Sequence, residues 1–120
     1  MTLYLFALLF KHSIADLWFQ SRLNNPKYGD KARLRDPKLW LHSLDHAGLS
    51  AIITLFFAGF YVAIIIFVLD FVLHSLIDYS KRIYVLRKKI TMKSRTFWKI
   101  QSIDQIAHYT CYLAYAFIVF

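Results

Sequence analysis

Hydrophobic positions along this chain fall in long blocks, and polar positions gather between them. Four apolar segments stand out, at about 2–22, 39–58, 60–80 and 99–120. Each approaches the ~20 residues that a helix needs to cross ~30 Å of hydrocarbon. The pattern predicts an all-α fold, an integral membrane bundle of four transmembrane helices forming one domain over 1–120. The middle of the chain admits a second drawing, in which 47–73 is one long helix and not a hairpin turning near Gly59. A single span there would put the basic segments on either side of it on opposite faces of the membrane, against the positive-inside rule. The hairpin is therefore preferred.

Composition strengthens this picture. The chain has 120 residues, 58% of them hydrophobic, and a mean hydropathy of +0.43. A soluble domain of this size has too much surface to hide such a fraction, whereas a lipid-facing surface accepts it. The lone Cys111 excludes an internal disulfide. At the N-terminus no basic segment precedes the apolar run and no small-residue cleavage site follows it. The first segment thus reads as a retained span and not a removed signal peptide.

Charge changes the picture in one respect. Lys and Arg number 15 against 7 acidic residues, all Asp, for a net charge of +8. Such an excess can mark a nucleic-acid surface. Here, apart from Lys11, every basic residue lies between Arg22 and Lys38 or between Lys81 and Lys99. No charge at all falls between Ala47 and Leu69. Basic clusters flanking apolar runs mark cytoplasmic loops, so a nucleic-acid partner is not expected. Both termini are then outside and both basic loops inside, with anionic lipids of the inner leaflet as partners. Trp18, Trp40, Tyr79 and Trp98 sit where spans meet these loops. Asn24-Asn25-Pro26 and Asp36-Pro37 break the first loop. The second, with Ile, Val and Leu among its charges, reads as a short amphipathic helix lying on the membrane surface.

The spans themselves carry titratable residues in a repeated spacing. The first has His12 and Asp16, the second His42 and His46 with Asp45 beside them. The third has Asp70, His74 and Asp78, and the fourth Asp104 and His108. Residues at i and i+4 share a helix face, the spacing by which a helix offers two ligands to one metal. At about 1.5 Å per residue, all four pairs lie within about 15 Å of the cytoplasmic ends, on one shelf. Ionisable groups in hydrocarbon must turn inward and find partners. With few cations nearby, a divalent metal satisfies several of these acceptors together. Its ligands are His12, Asp16, His42, His46, His74, Asp78, Asp104 and His108. Imidazole and carboxylate suit Zn, with Mn or Fe also open, as one ion or two. Lys11 is expected to snorkel or to pair with Asp16 or Asp45, and has no role in the site.

The series His12-x-x-x-Asp16-x-x-x-Gln20, His42-x-x-x-His46, His74-x-x-x-Asp78-x-x-Lys81 and Asp104-Gln105-x-x-His108 resembles a known family over essentially the whole chain. It is the domain-of-unknown-function family 3307, small polytopic membrane proteins of bacteria and phages. The fourth-span Asp-Gln-x-x-His is the most specific part of the match. More loosely, the series is similar to inner-membrane proteins described as metal-dependent hydrolases. The resemblance implies a multi-pass protein of the bacterial inner membrane and supplies no substrate.

Together these readings point to a metal-dependent hydrolase acting at the cytoplasmic leaflet on a lipid headgroup or an anionic cytosolic substrate. The metal would acidify a water and polarise the scissile group. Asp45 or Asp78 would serve as general base, and Lys81 would hold an anionic group such as a phosphate. The competing class is a transporter or channel for protons or divalent metals. It needs polar residues that continue across the outer half, and 3–10, 49–61 and 111–120 are nearly all apolar. A third class is a non-enzymatic membrane partner with a structural metal. An oligomer is open under every reading.

Overall fold

The computed structural model describes residues 1–19 and 37–120, with Trp18 and Phe19 described in backbone only. Most of the first basic loop, including Gln20 and the Asn24-Asn25-Pro26 break, lies outside the described residues. Four helices follow one another: α1 (Thr2–Ile14), α2 (Pro37–Ala58), α3 (Phe60–Arg87) and α4 (Arg95–Val119). A π-helical turn, Ala15–Phe19, continues α1.

Each helix begins or ends for a local reason. Pro37 opens α2, where its fixed φ suits the first turn and its missing N–H is not needed. Gly59 alone separates α2 from α3, at φ 79° and ψ −179°, a conformation that disfavours any side chain. This is the hairpin that the positive-inside argument preferred. Ser94 caps α4, its Oγ accepting the Phe97 N–H at 3.2 Å.

The helices run antiparallel in sequence order. Tyr4 meets Thr54, Lys11 meets His46 and Asp16 meets His42, so one number falls as the other rises. The same reversal relates α2 to α3 through His46–His74 and His42–Asp78, and α3 to α4 through Asp70–Tyr115, Asp78–His108 and Lys81–Asp104. Tyr4, Phe57 and Phe120 are mutual ring neighbours, which puts the start of α1, the Gly59 turn and the end of α4 at one end. The basic segment after α3 is at the other.

One expectation about that segment is corrected. The residues 81–87 do not form a separate surface helix; they extend α3 to 28 residues. The buried positions Asp70, His74, Asp78, Lys81 and Val85 keep one helical face without a phase break, so nothing in the sequence ends the helix at Ser80. At ~1.5 Å per residue α3 is ~42 Å long, more than the hydrocarbon thickness. α4 likewise starts a turn earlier than expected, at Arg95.

The described residues are arranged inside out. Lys11, all five histidines, Asp70, Asp78, Lys81, Arg82 and Asp104 are buried, while Phe6, Phe56, Tyr61, Ile103 and Phe117 point outward. An apolar cluster of Tyr4, Leu8, Ile66, Tyr112, Tyr115 and Ala116 fills the end near Gly59. α2 and α3 are each long and apolar enough to cross a membrane. α1 has only 13 residues before its π turn, and α4 carries Asp104, Gln105 and His108 along its length, so these two do not reach that standard.

Candidate metal centre

The four-residue spacing noted in the sequence becomes a vertical ladder on each helix. α2 turns His42, His46, Ser50 and Thr54 inward, and α4 turns Asp104, His108, Tyr112 and Ala116. α1 contributes Tyr4, Leu8 and His12, with Asp16 on the π turn; α3 contributes Ile66, Asp70, His74 and Asp78. Because the helices are antiparallel, the histidine rungs meet at one level.

There, the Nε2 atoms of all five histidines converge on two carboxylates. Asp16 has His12 at 3.4 Å, His42 at 3.3 Å and His46 at 3.2 Å. Asp78 has His42 at 3.5 Å, His74 at 3.5 Å and His108 at 3.3 Å. His42 faces both. Donors bound to one Zn at about 2.0–2.1 Å in a tetrahedron stand about 3.3–3.4 Å apart, close to these separations. The rings of His46, His74 and His108 form a stack, with centroids 3.7 and 4.0 Å apart.

His42 and His74 supply the test of fit. Both are buried, and among the described residues neither ring nitrogen of either has a hydrogen-bond partner. Their Nε2 atoms lie within 3.5 Å of carboxylate oxygens yet miss hydrogen-bond alignment. Buried polar atoms in native proteins are nearly always bonded. Nitrogens left in this state, each a member of a metal-capable group, fit an ion better than a polar network. Those groups are His12–His46–His74, Asp16–His42–His46, His42–His74–Asp78 and Asp78–Asp104–His108. Buried His and Asp side chains here can therefore hold a metal ion.

Two carboxylates have other business. Asp104 accepts a 2.7 Å hydrogen bond from Lys81 Nζ, with its second oxygen 3.9 Å from His108. Lys81 is itself buried against it, so the structure occupies with Asp104 the cation that the sequence assigned to an anionic group. Asp70 accepts from Lys11 Nζ at 3.0 Å. The expectation that Lys11 pairs with Asp16 or Asp45 is thus corrected: Lys11 enters the seam between α2 and α3 one turn deeper, where it also donates to the His46 carbonyl at 3.1 Å. Cations are accordingly less scarce than the sequence suggested, and lysine neutralises Asp70 and Asp104 while the histidines gather on Asp16 and Asp78. Asp45 is half-buried and belongs to none of the metal-capable groups.

Several contributors were missed. Tyr112 hydroxyl lies 2.7 Å from His12 Nδ1 and braces the ring from behind, while Gln105 Oε1, an acceptor, lies 3.1 Å from His12 Nε2 and competes with a metal for that nitrogen. Ser50 donates to Asp70 at 2.7 Å and Tyr115 donates to it at 3.2 Å. Thr54 donates to the Ser50 carbonyl, and its Oγ1 meets Tyr4 hydroxyl at 2.7 Å. The outer halves, read as nearly all apolar, therefore send their few polar groups inward. Extending the i, i+4 pairs by one more rung finds Ser50 and Tyr112, and a second rung on α2 finds Thr54.

Neither a curated protein nor a solved structure matches the chain. A family model does, over residues 4–120, from Tyr4 of the deep cluster through every ladder just described. The chain belongs to the family of proteins of unknown function DUF3307.

Proposed function

We propose that this is a four-span membrane protein whose His/Asp shelf holds divalent metal near the cytoplasmic face and uses it for hydrolysis. One observation carries the reading: five Nε2 atoms aimed at two carboxylates at 3.2–3.5 Å. Each carboxylate has two histidines of its own and shares His42, which suits two neighbouring ions. The nitrogen and carboxylate donors favour Zn, with Mn and Fe next. Four-helix bundles are established hosts for carboxylate–histidine centres with two metals.

A divalent ion held by these residues would supply Lewis acidity and a more acidic water. The chain's own groups do the rest. Asp16 and Asp78 hold the charge, Tyr112 orients His12 through Nδ1, and Lys81 fixes Asp104 beside His108. Asp45, next to His46 in sequence and outside the ligand groups, is the carboxylate available to take a proton. A bacterial inner-membrane location with the basic segments in the cytoplasm is favoured because the second of them, Lys81 to Lys99, lies at the end opposite the Gly59 turn, as does the start of α2.

Elemental analysis of protein purified without chelators tests the centre. We expect one or two equivalents of zinc, manganese or iron, lost in His74→Ala and in Asp78→Asn. Absence of metal from the wild type overturns the hydrolase. Reporter fusions after Gly59 and at Phe120 should both report outside; a cytoplasmic signal at Gly59 overturns the topology.

A second reading, proton or metal transport, draws support from the buried polar groups at Lys11, Asp70, Ser50, Thr54 and Tyr4. It is disfavoured by their ending. The path passes from Ser50 to Thr54 only through a backbone carbonyl, and Tyr4 and Leu8 close it with no exposed surface.

A further inference from the structure

The outer surface of α3 and α4 carries two recesses that meet. The first, about 530 Å³, runs between the helices and is lined by Leu76, Ile77, Ile100, Ile103 and Ala107, with Lys81 and Asp104 also in its wall. The second, about 600 Å³, continues past Ser80 and Tyr84, which the two share, and is lined by Tyr79, Ile83, Arg87 and Lys88. Each falls in the ~300–1,000 Å³ range of small-molecule sites. The groove therefore changes character along its length, apolar beside the centre of the bundle and cationic where α3 ends. Arg87 and Lys88 are exposed there, with Lys89 and Lys93 following.

Its inner wall touches the metal centre. Asp104 lines the groove with one side and lies 3.9 Å from His108 with the other, and His108 is 3.3 Å from Asp78. The Lys81–Asp104 pair is thus the partition between the groove and the five histidines.

We infer that this groove takes an anionic membrane phospholipid, an acyl chain lying between α3 and α4 and the phosphate of the headgroup on Arg87 and Lys88. The inference rests on the membrane location and metal centre proposed above, and it names the substrate class as a lipid of the inner leaflet. Charge selects the occupant. An apolar trough alone accepts any acyl chain, but a trough that ends on two exposed cations distinguishes phosphatidylglycerol from a zwitterionic lipid of the same chain length. A soluble phosphate would have no use for the wall formed by Leu76, Ile100 and Ile103. The junction at Ser80 and Tyr84 puts the boundary between chain and headgroup one helical turn from Lys81, within reach of the partition.

Native mass spectrometry of the whole protein, extracted from bilayers containing equal phosphatidylglycerol and phosphatidylcholine, tests this. We expect about tenfold or greater retention of phosphatidylglycerol, as two basic contacts imply. Arg87→Gln/Lys88→Gln, both on exposed positions, should abolish the preference, and Ala107→Trp should reduce retention of both lipids by filling the trough. Equal retention of the two lipids by the wild type overturns the inference. So does a preference that the double variant leaves intact, or one that millimolar inorganic phosphate removes. Metal content of the same samples separates the two readings. Bound metal without lipid selectivity overturns the groove and leaves the centre standing; selectivity in a metal-free wild type overturns the hydrolase and leaves the groove.

Discussion

Two buried polar regions lie a helical turn apart in this bundle, and they are finished differently. Around Asp70, Lys11 donates at 3.0 Å, Ser50 at 2.7 Å and Tyr115 at 3.2 Å, so the carboxylate meets three donors and a countercharge. Around Asp16 and Asp78 there are five imidazoles, and His42 and His74 lack hydrogen-bond partners among the described residues. Both regions draw on all four helices, and both are buried except at Asp16, whose side chain keeps 18% exposure. The first is complete with what the chain provides. The second is complete only with something that accepts lone pairs from nitrogen and oxygen together. Burial alone therefore does not separate a structural polar cluster from a binding site; the count of satisfied atoms does.

The largest effect should come from breaking the complete region. Lys11→Met leaves Asp70 buried without its cation and should cost about 3–5 kcal/mol, read as lost resistance to thermal unfolding in detergent. The double variant Lys11→Met/Asp70→Leu should recover most of that loss, because it removes both charges. Both variants also lose the contact of Lys11 Nζ with His46 Nδ1 at 3.4 Å, so metal affinity should fall alike in the two.

The reverse applies to the histidines. A chelator should lower the stability of the wild type by about 2.7 kcal/mol relative to protein at metal concentrations about 100-fold above Kd. His74→Ala should show no such response. An equal chelator effect in both proteins would mean that His74 is not a ligand.

A finer distinction separates the two buried tyrosines of α4, Tyr112 and Tyr115. Tyr112→Phe removes the hydroxyl that holds His12, and should weaken metal binding by about 10–100-fold in a competition titration with an indicator dye. Tyr115→Phe removes a donor to Asp70 and should leave metal affinity unchanged. Its cost, the smallest of the set, is about 1 kcal/mol of stability. If the two substitutions exchanged effects, the division between the regions would fail.

These regions were unequally legible in the sequence. His12, Asp16, His42, His46, His74, Asp78, Asp104 and His108 stood out because a charge or imidazole in an apolar run has a high cost in lipid and so needs a reason. Tyr4, Tyr112, Tyr115, Ser50 and Thr54 did not, since such residues are at home both in a packed interior and at a membrane interface. Their direction is decided by the helix face, which only the ladder of fours reveals. Lys11 was misplaced for a related reason. It neighbours His12 in sequence, but about 100° of helical rotation separates them, enough to send it into a different seam. The length of α3 was hidden by composition: Lys81 and Arg82 look like the start of a loop, yet both are buried and continue the helix.

Asp16 is carried on the π turn that follows α1, whereas Asp78 stands within a regular α-helix. A π turn holds more residues per turn than an α turn and is a common mark of functional positions. Chain length is then an adjustable quantity at this one place. Deleting Ala15 would put the aspartate three residues after His12 in place of four, and both spacings keep the same helix face. A deletion that would throw α3 out of phase with its neighbours can here be absorbed by rewinding one turn. The two carboxylates that look equivalent in the finished centre thus differ in how readily insertions and deletions can retune them.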